Sequence, residues 1–161
     1  MGMICRIREV LEGDLDRLTG PREQAHDLFR CDHLSGPVLS LEKAWHGLHY
    51  LLTGSPWKGA EPLCFLVRGG RAVGPDLGYG RPRLLGVDFV QRLDTALQEV
   101  GEERLWEGFD AGRFKAEKIY PGIWDEPEDQ LREEYLWYFR ALQAFVRKAA
   151  RQGAELLVVT V

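Results

Sequence analysis

Residues 156–161 read Leu-Leu-Val-Val-Thr-Val, and no other stretch limits so tightly what the chain can fold into. The run is β-branched and almost wholly apolar, with no polar alternation that would give it a wet side. Such a strand is covered on both faces, so it belongs inside a sheet with helices above and below. Residues 3–10 offer a partner strand, in which Cys5, Ile7 and Val10 alternate weakly with Ile4, Arg6 and Arg8. The expected fold is a single three-layer α/β domain over residues 1–161. Its small central sheet includes the N- and C-terminal strands, with the latter inside the sheet and paired to the former.

Helical periodicity supplies the outer layers. Over residues 128–152, Leu131, Tyr135, Tyr138, Leu142, Phe145 and Ala149 fall on one stripe, widened by Phe139 and Val146. The first turns are acidic and the last basic, which suits the helix dipole at both ends, and Gly153 stops the helix. Trp137 falls off the stripe, where exposure would mark an interface. Residues 87–100 read as a second helix, with Asp88 as its cap and Phe89, Leu93, Ala96, Leu97 and Val100 facing inward. Shorter helices are expected at 14–19, at 21–34 with Pro21 in the first position, at 102–109 and at 110–118. Residues 62–67 are apolar but too few for periodicity to separate a helical turn from a strand. Residues 81–85 read as a strand that Pro82 restricts to a sheet edge.

Residues 41–54 form the most distinctive block, Leu-Glu-Lys-Ala-Trp-His-Gly-Leu-His-Tyr-Leu-Leu-Thr-Gly. Ser40 is a suitable N-cap, Glu42 suits the first turn, and Gly54 stands where a left-handed residue would close the helix. At ~100° per residue, Leu41, Trp45, Leu48 and Leu52 share an apolar stripe. His49 lies at its edge, His46 further round, and Lys43 and Tyr50 face away. Trp45 is therefore expected to be buried and His49 to sit between core and solvent.

Bulk properties exclude several classes of function. At 161 residues the chain can bury ~70% of its unfolded surface in one domain. A net charge of −4 argues against a nucleic-acid footprint, which needs a basic face. Cys5, Cys31 and Cys64 are odd in number and unpatterned, as in a reduced cytoplasmic protein without a disulfide framework. No apolar run approaches the ~20 residues of a membrane span, and the N-terminus has no signal-peptide core. A soluble cytoplasmic protein is expected.

Two stretches carry a family resemblance. The first is Lys43-Ala-Trp-x-x-Leu-His-Tyr-x-Leu-Thr-Gly54. The second is Gly74-x-Asp76-x-Gly78-Tyr79-Gly80-x-x-Arg83, followed by Lys118-Ile-Tyr-Pro-Gly-Ile-Trp124, the closing helix–glycine–strand and the opening Met1-Gly2-Met3-Ile4. In these blocks the chain resembles the YfbM-like family, bacterial proteins grouped as domain of unknown function 1877. The resemblance covers nearly the whole chain and implies a three-layer α/β domain. It implies no chemistry. In it His49 falls on a motif position, whereas His46 falls where other residues are accepted, which weakens any mechanism that needs both.

Each group with chemical potential has a structural reading beside it. His46 and His49 stand three apart on a helix with Glu42 nearby, but no further His or Cys has ligand spacing, so no metal is expected. His49 suits a general base if Asp76, Tyr79 or Tyr120 joins it, and suits equally a hydrogen-bonded core histidine. The glycines of residues 69–80 lack the Gly-Lys-Ser/Thr ending of a phosphate loop and the third glycine of a dinucleotide fingerprint, so no cofactor is expected. Asp76 and Tyr79 on that loop suit contact with a ligand or partner. Tyr120 and Trp124 flank a Pro-Gly turn, where aromatics line a pocket or cap a core.

The sequence thus points first to a non-catalytic binding or interaction module that meets another protein, as an inhibitor or immunity-type partner does. The alternative is a small-molecule binder or enzyme with a pocket around His49, Asp76, Tyr79 and Tyr120. The residues expected to contact a ligand or partner are His49, Asp76, Tyr79, Tyr120 and Trp124.

Overall fold

The computed structural model describes residues 2–32 and 36–161. Five strands form one antiparallel sheet: β1 (Cys5–Glu9), β2 (Val38–Glu42), β3 (Arg71–Ala72), β4 (Arg83–Leu85) and β5 (Leu156–Thr160), in the order β2-β1-β5-β4-β3. The C-terminal strand is central and pairs with β1 from Cys5↔Thr160 to Glu9↔Leu156. Alternation along β5 divides the interior in two. Leu156 and Val158 enter the larger core with Cys5, Ile7 and Leu85, while Leu157 and Val159 enter the smaller one with Leu84. A buried apolar side chain of this size contributes about 1.5–3 kcal/mol, so β5 stabilises both layers at once.

The larger core lies under α3 (Trp45–Thr53), α4 (Val87–Glu99), α5 (Glu102–Glu107), α6 (Ala111–Ala116) and the long α7 (Glu128–Arg151). The opposite face is covered by α1 (Asp14–Leu18) and α2 (Arg22–Asp27) through Leu18, Ala25, Leu28 and Phe29. That makes the third layer. The helix expected at 21–34 is shorter in the structure, with Pro21 as N-cap, and residues 33–35 of that stretch lie outside the described residues. Residues 62–67 form consecutive turns, with the Cys64, Phe65 and Val67 amides donating three or four residues back.

Four local expectations are corrected. Ser40 does not cap a helix, because Val38–Glu42 is a strand: Leu39 and Leu41 face the core and Ser40 bonds Glu42. The helix begins only at Trp45, after a turn in which the Ala44 amide donates to the Leu41 carbonyl, and Gly54 closes it at φ 75° as expected. Tyr50 does not face away. It is buried against Phe114, and its hydroxyl donates to Glu117. Asp88 makes no cap; Gly86 holds that position without a side-chain bond. Pro82 does not put β4 at the edge, since β3 pairs beyond it, and the proline stands instead where the β4–β5 ladder ends.

One buried ion pair anchors the smaller layer. Arg8, on the face of β1 away from α7, is 1% exposed and donates from Nε to Asp14 Oδ2 at 2.8 Å and from Nη2 to Oδ1 at 3.1 Å. A further N–H reaches the Leu28 carbonyl, and Asp14 also accepts from the Leu11 amide.

Candidate functional site

The sheet forks at one end. Ile4 and Val161 exchange both backbone hydrogen bonds, at 2.8 and 2.9 Å. In an antiparallel ladder such pairs alternate, so Thr160 opposite Cys5 turns its N–H and C=O away from β1, toward β4. The β4 ladder stops at Arg83↔Val158, however, and Pro82 beyond it turns its carbonyl to the other side, accepting from the Val73 amide at 2.8 Å. Among the described residues Thr160 has no strand partner on that side.

A cleft of about 290 Å³ opens at this fork. Met3, Leu66, Val67 and Val158 give it an apolar floor, Trp45, Trp57 and Tyr79 its aromatic walls, and Arg81 and Arg83 its charge. Trp45 is nearly buried and donates from its indole to the Met3 carbonyl at 3.1 Å. Trp57 and Tyr79 are each 57% exposed, so two large rings stand at the rim with their apolar area in water. Trp57 rests on the His46 ring at 4.3 Å, and His46 in turn stacks on Trp45 at 5.0 Å.

The two arginines give the cleft its sign. Half-buried Arg83 shares its sheet face with Leu85 and donates to the Phe65 carbonyl at 2.6 Å and the Gly69 carbonyl at 2.8 Å. Burial lowers its pKa, the Cys5 and Cys64 sulfurs acting the other way, yet a guanidinium stays charged in water-accessible protein. Arg81 is exposed and donates from Nε to the Gly74 carbonyl at 2.7 Å. Among the described residues neither arginine has a carboxylate at salt-bridge distance. A guanidinium carries five N–H groups, so three remain on Arg83 and four on Arg81 after these bonds.

Of the five residues expected at a site, Tyr79 lines the cleft and the other four do not. Tyr120 stands behind it: its hydroxyl accepts from the Met3 amide at 3.0 Å, so Tyr120 and Trp45 together fix the backbone of Met3. Asp76 is exposed and turns its carboxylate onto its own loop, accepting from the Gly78 and Gly80 amides, which hold its pKa below the usual value. Trp124 is a core residue, bonded to the Ile119 carbonyl and packed against Phe114 and Tyr135. Gly47 of α3 admits it, since a Cβ there would lie 2.7 Å from the Tyr135 ring and 3.0 Å from that of Trp124.

His49 lies inside the core, not at its edge. It is fully buried, with Nε2 at 3.3 Å from the Thr53 hydroxyl and Nδ1 without a hydrogen-bond partner, and it shares no hydrogen bond with Asp76, Tyr79 or Tyr120. His46 is also buried, and its tautomer is fixed. The Tyr120 amide donates to Nδ1 at 2.9 Å, so Nε2 carries the proton and donates to the Pro56 carbonyl at 2.9 Å. This one neutral ring ties α3 to the Tyr120 turn and to the loop that carries Trp57.

Burial lowers the pKa of both histidines, and for His49, where His46 adds to the effect, it falls to about 4. Each proton therefore binds the unfolded chain more tightly than the folded one. The stability held by neutral His49 is complete above the ordinary value of 6.5 and drains away as pH falls toward 4. Chemical melts at pH 7 and pH 5 should show wild type losing ~2 kcal/mol more than His49→Leu over that interval. Equal losses would place the acid sensitivity elsewhere.

Trp57 and Arg81 escape a reading by motif, and Arg83, though it closes the glycine-rich family block, is not among the residues expected at a site. Tryptophan in a Ser-Pro-Trp-Lys-Gly loop has no core to fill, and Arg83 is the charged residue of an otherwise apolar Arg-Leu-Leu strand. A further exposed aromatic, Trp137 on α7, is 61% exposed beside Tyr138 and next to Glu133 and Glu134. No helix among the described residues is long and apolar enough to cross a membrane.

The fold is shared with a known structure. No curated protein matches the chain. The crystal structure of YfbM from Escherichia coli, a protein of unknown function, matches it with a TM-score of 0.75 at 26% identity, over 98% of this chain and 99% of that one. The profile of the domain of unknown function DUF1877 matches residues 1–159. The structural match and the family profile each span nearly the whole chain, and the chain belongs to the DUF1877 family.

Proposed function

We propose that this protein is a binding module and that the cleft at the β4–β5 fork is where it binds. The observation that carries the reading is the pair of exposed rim aromatics, Trp57 and Tyr79, beside two guanidiniums that have no carboxylate partner among the described residues. Apolar walls with a few convergent polar groups are the usual make-up of a small-molecule site. The two histidines of α3 and Cys5 support the same reading, because they are committed to the fold. His46 spends both nitrogens on backbone groups, His49 is sealed in the core, and burial pushes the Cys5 thiol up to about 12.

The test is a melting-temperature screen of the full chain against small organic acids, amines, sugars and nucleosides. A compound at a hundred times its Kd should stabilise wild type by ~2.7 kcal/mol. The Trp57→Ala/Tyr79→Ala variant should fold normally, since both side chains are exposed, and should lose that shift. Equal shifts in both proteins would move the site away from the cleft.

A second reading rests on Trp137. An exposed tryptophan edge-on to Tyr138, with Glu133 and Glu134 beside it, suits the docking of a basic protein partner on α7, as an inhibitor or immunity-type protein would require. Pull-downs with wild type and Trp137→Glu should then differ in a specific partner. Identical partners from both would remove this reading.

A further inference from the structure

We propose that the cleft is a carboxylate site, in which Arg83 and Arg81 hold the acid group of a ligand whose flat apolar body lies along Trp57, Tyr79 and Trp45. This inference rests on the cleft being a binding site and names the class of ligand it takes.

Both arginines keep unused hydrogen-bonding capacity. Arg83 is held in place by two backbone carbonyls, which orient the guanidinium but leave its charge without a counter-ion. A planar fork fixed in this way matches a carboxylate edge to edge, and the gain is larger because the group is half-buried. Thr160 adds main-chain capacity beside it. Arg83 pairs with Val158, so Thr160 is two residues along on the same sheet face, with an N–H and a C=O that no strand takes up. The Thr160 N–H can donate to the second carboxylate oxygen or to a neighbouring carbonyl of the ligand. Arg81 approaches from the loop side, anchored through Nε and keeping its terminal nitrogens.

Size and lining decide between anions. A volume of about 290 Å³ admits a ring with its acid group but falls short of the larger sites that hold nucleotides. The floor of Met3, Leu66, Val67 and Val158 suits the apolar face of a ring, which inorganic phosphate lacks. The rim rings complete the match, since Trp57 and Tyr79 present open aromatic faces on which a flat body can stack. The same chemistry has two sources: a free aromatic acid, or the C-terminal carboxylate of a peptide ending in an aromatic residue. The open Thr160 edge suits the second as well, because a peptide supplies the amide that such an edge pairs with.

Amide NMR titrations of the full chain, read at the indole N–H signals of Trp45 and Trp57, test this directly. The probes are phenylacetate and N-acetylphenylalanine, each against its uncharged primary amide, with inorganic phosphate as competitor. Each acid should bind at least tenfold more tightly than its amide, and phosphate should not displace it at equal concentration. Tighter binding of N-acetylphenylalanine than of phenylacetate would identify a peptide C-terminus as the source, and the reverse order a free acid. Arg81→Gln and Arg83→Gln should each reduce the acid-over-amide preference. Arg83 also ties two loops together, so if that variant fails to fold, exposed Arg81 carries the test alone. Equal binding of acid and amide, or displacement by phosphate, would overturn the carboxylate assignment while leaving the cleft a binding site. No shift at either indole with any probe, together with a screen in which Trp57→Ala/Tyr79→Ala changes nothing, would overturn both.

Discussion

Replacing Asp14 with alanine should destabilise the fold by about 3–5 kcal/mol, the usual cost of removing one partner from a buried ion pair. Asp14 is 2% exposed, and its carboxylate takes two N–H groups of Arg8 and the amide of Leu11. Without it a guanidinium at 1% exposure keeps partners such as the Leu28 carbonyl but loses two hydrogen bonds and the charge that made them strong. Small domains are stable by only ~5–15 kcal/mol, so the variant would lose a large share of its margin. Urea melts measure the effect. The double variant Asp14→Leu/Arg8→Met should recover most of it, because an apolar pair of similar volume removes the stranded charge. A single-variant loss under ~1 kcal/mol would show that water reaches Arg8 and screens it.

Trp45→Ala should cost a similar amount, about 3–5 kcal/mol, through the cavity left by a large buried aromatic. Trp45 is 4% exposed, stacks with His46, packs near Tyr120 and holds the Met3 carbonyl. Its loss would therefore loosen the first residues of the chain as well as the core. Trp45→Phe separates the two effects: it keeps most of the packing and removes the indole donor, and should cost ~1 kcal/mol, the worth of one hydrogen bond. A Trp45→Ala loss below ~1 kcal/mol would mean that the surrounding rings collapse to fill the space.

The parts of this fold that were legible beforehand are those with long or unambiguous patterns. The continuous apolar run of β5 specified its central place, and the stripe from Leu131 to Ala149 specified α7 to within a residue. Short alternations were lost. In Val38-Leu39-Ser40-Leu41-Glu42 the two-residue period is present, but the helical signal that begins at Trp45 overlaps it, and Ser40 passes as a cap when it is a strand residue. Two-residue β3 carries too little pattern to be seen at all.

The site was less legible than the fold for a physical reason. The helical wheel places a residue relative to its own helix and says nothing of what packs on the other side. His49 and Tyr50 looked marginal or exposed on α3 alone, yet the Ser55–Pro56 loop and the Glu117 end of α6 close over the helix and bury both. The cleft arises where two ladders diverge, which depends on the register of β5 against both neighbours. Only Tyr79 of the expected residues reaches it, because loop glycines can bring the backbone close while Asp76 is held back by the amides of Gly78 and Gly80.

Met3 and Thr160 both line the cleft, and Ile4 is bonded to Val161, so a segment joined close to either residue starts beside it. A flexible extension there becomes a tethered competitor at millimolar effective concentration. A purification tag with an aromatic or acidic residue near the junction would occupy the cleft in cis and mask weaker free ligands. Protein produced with a tag and the same protein after its removal are, for this fold, two different reagents.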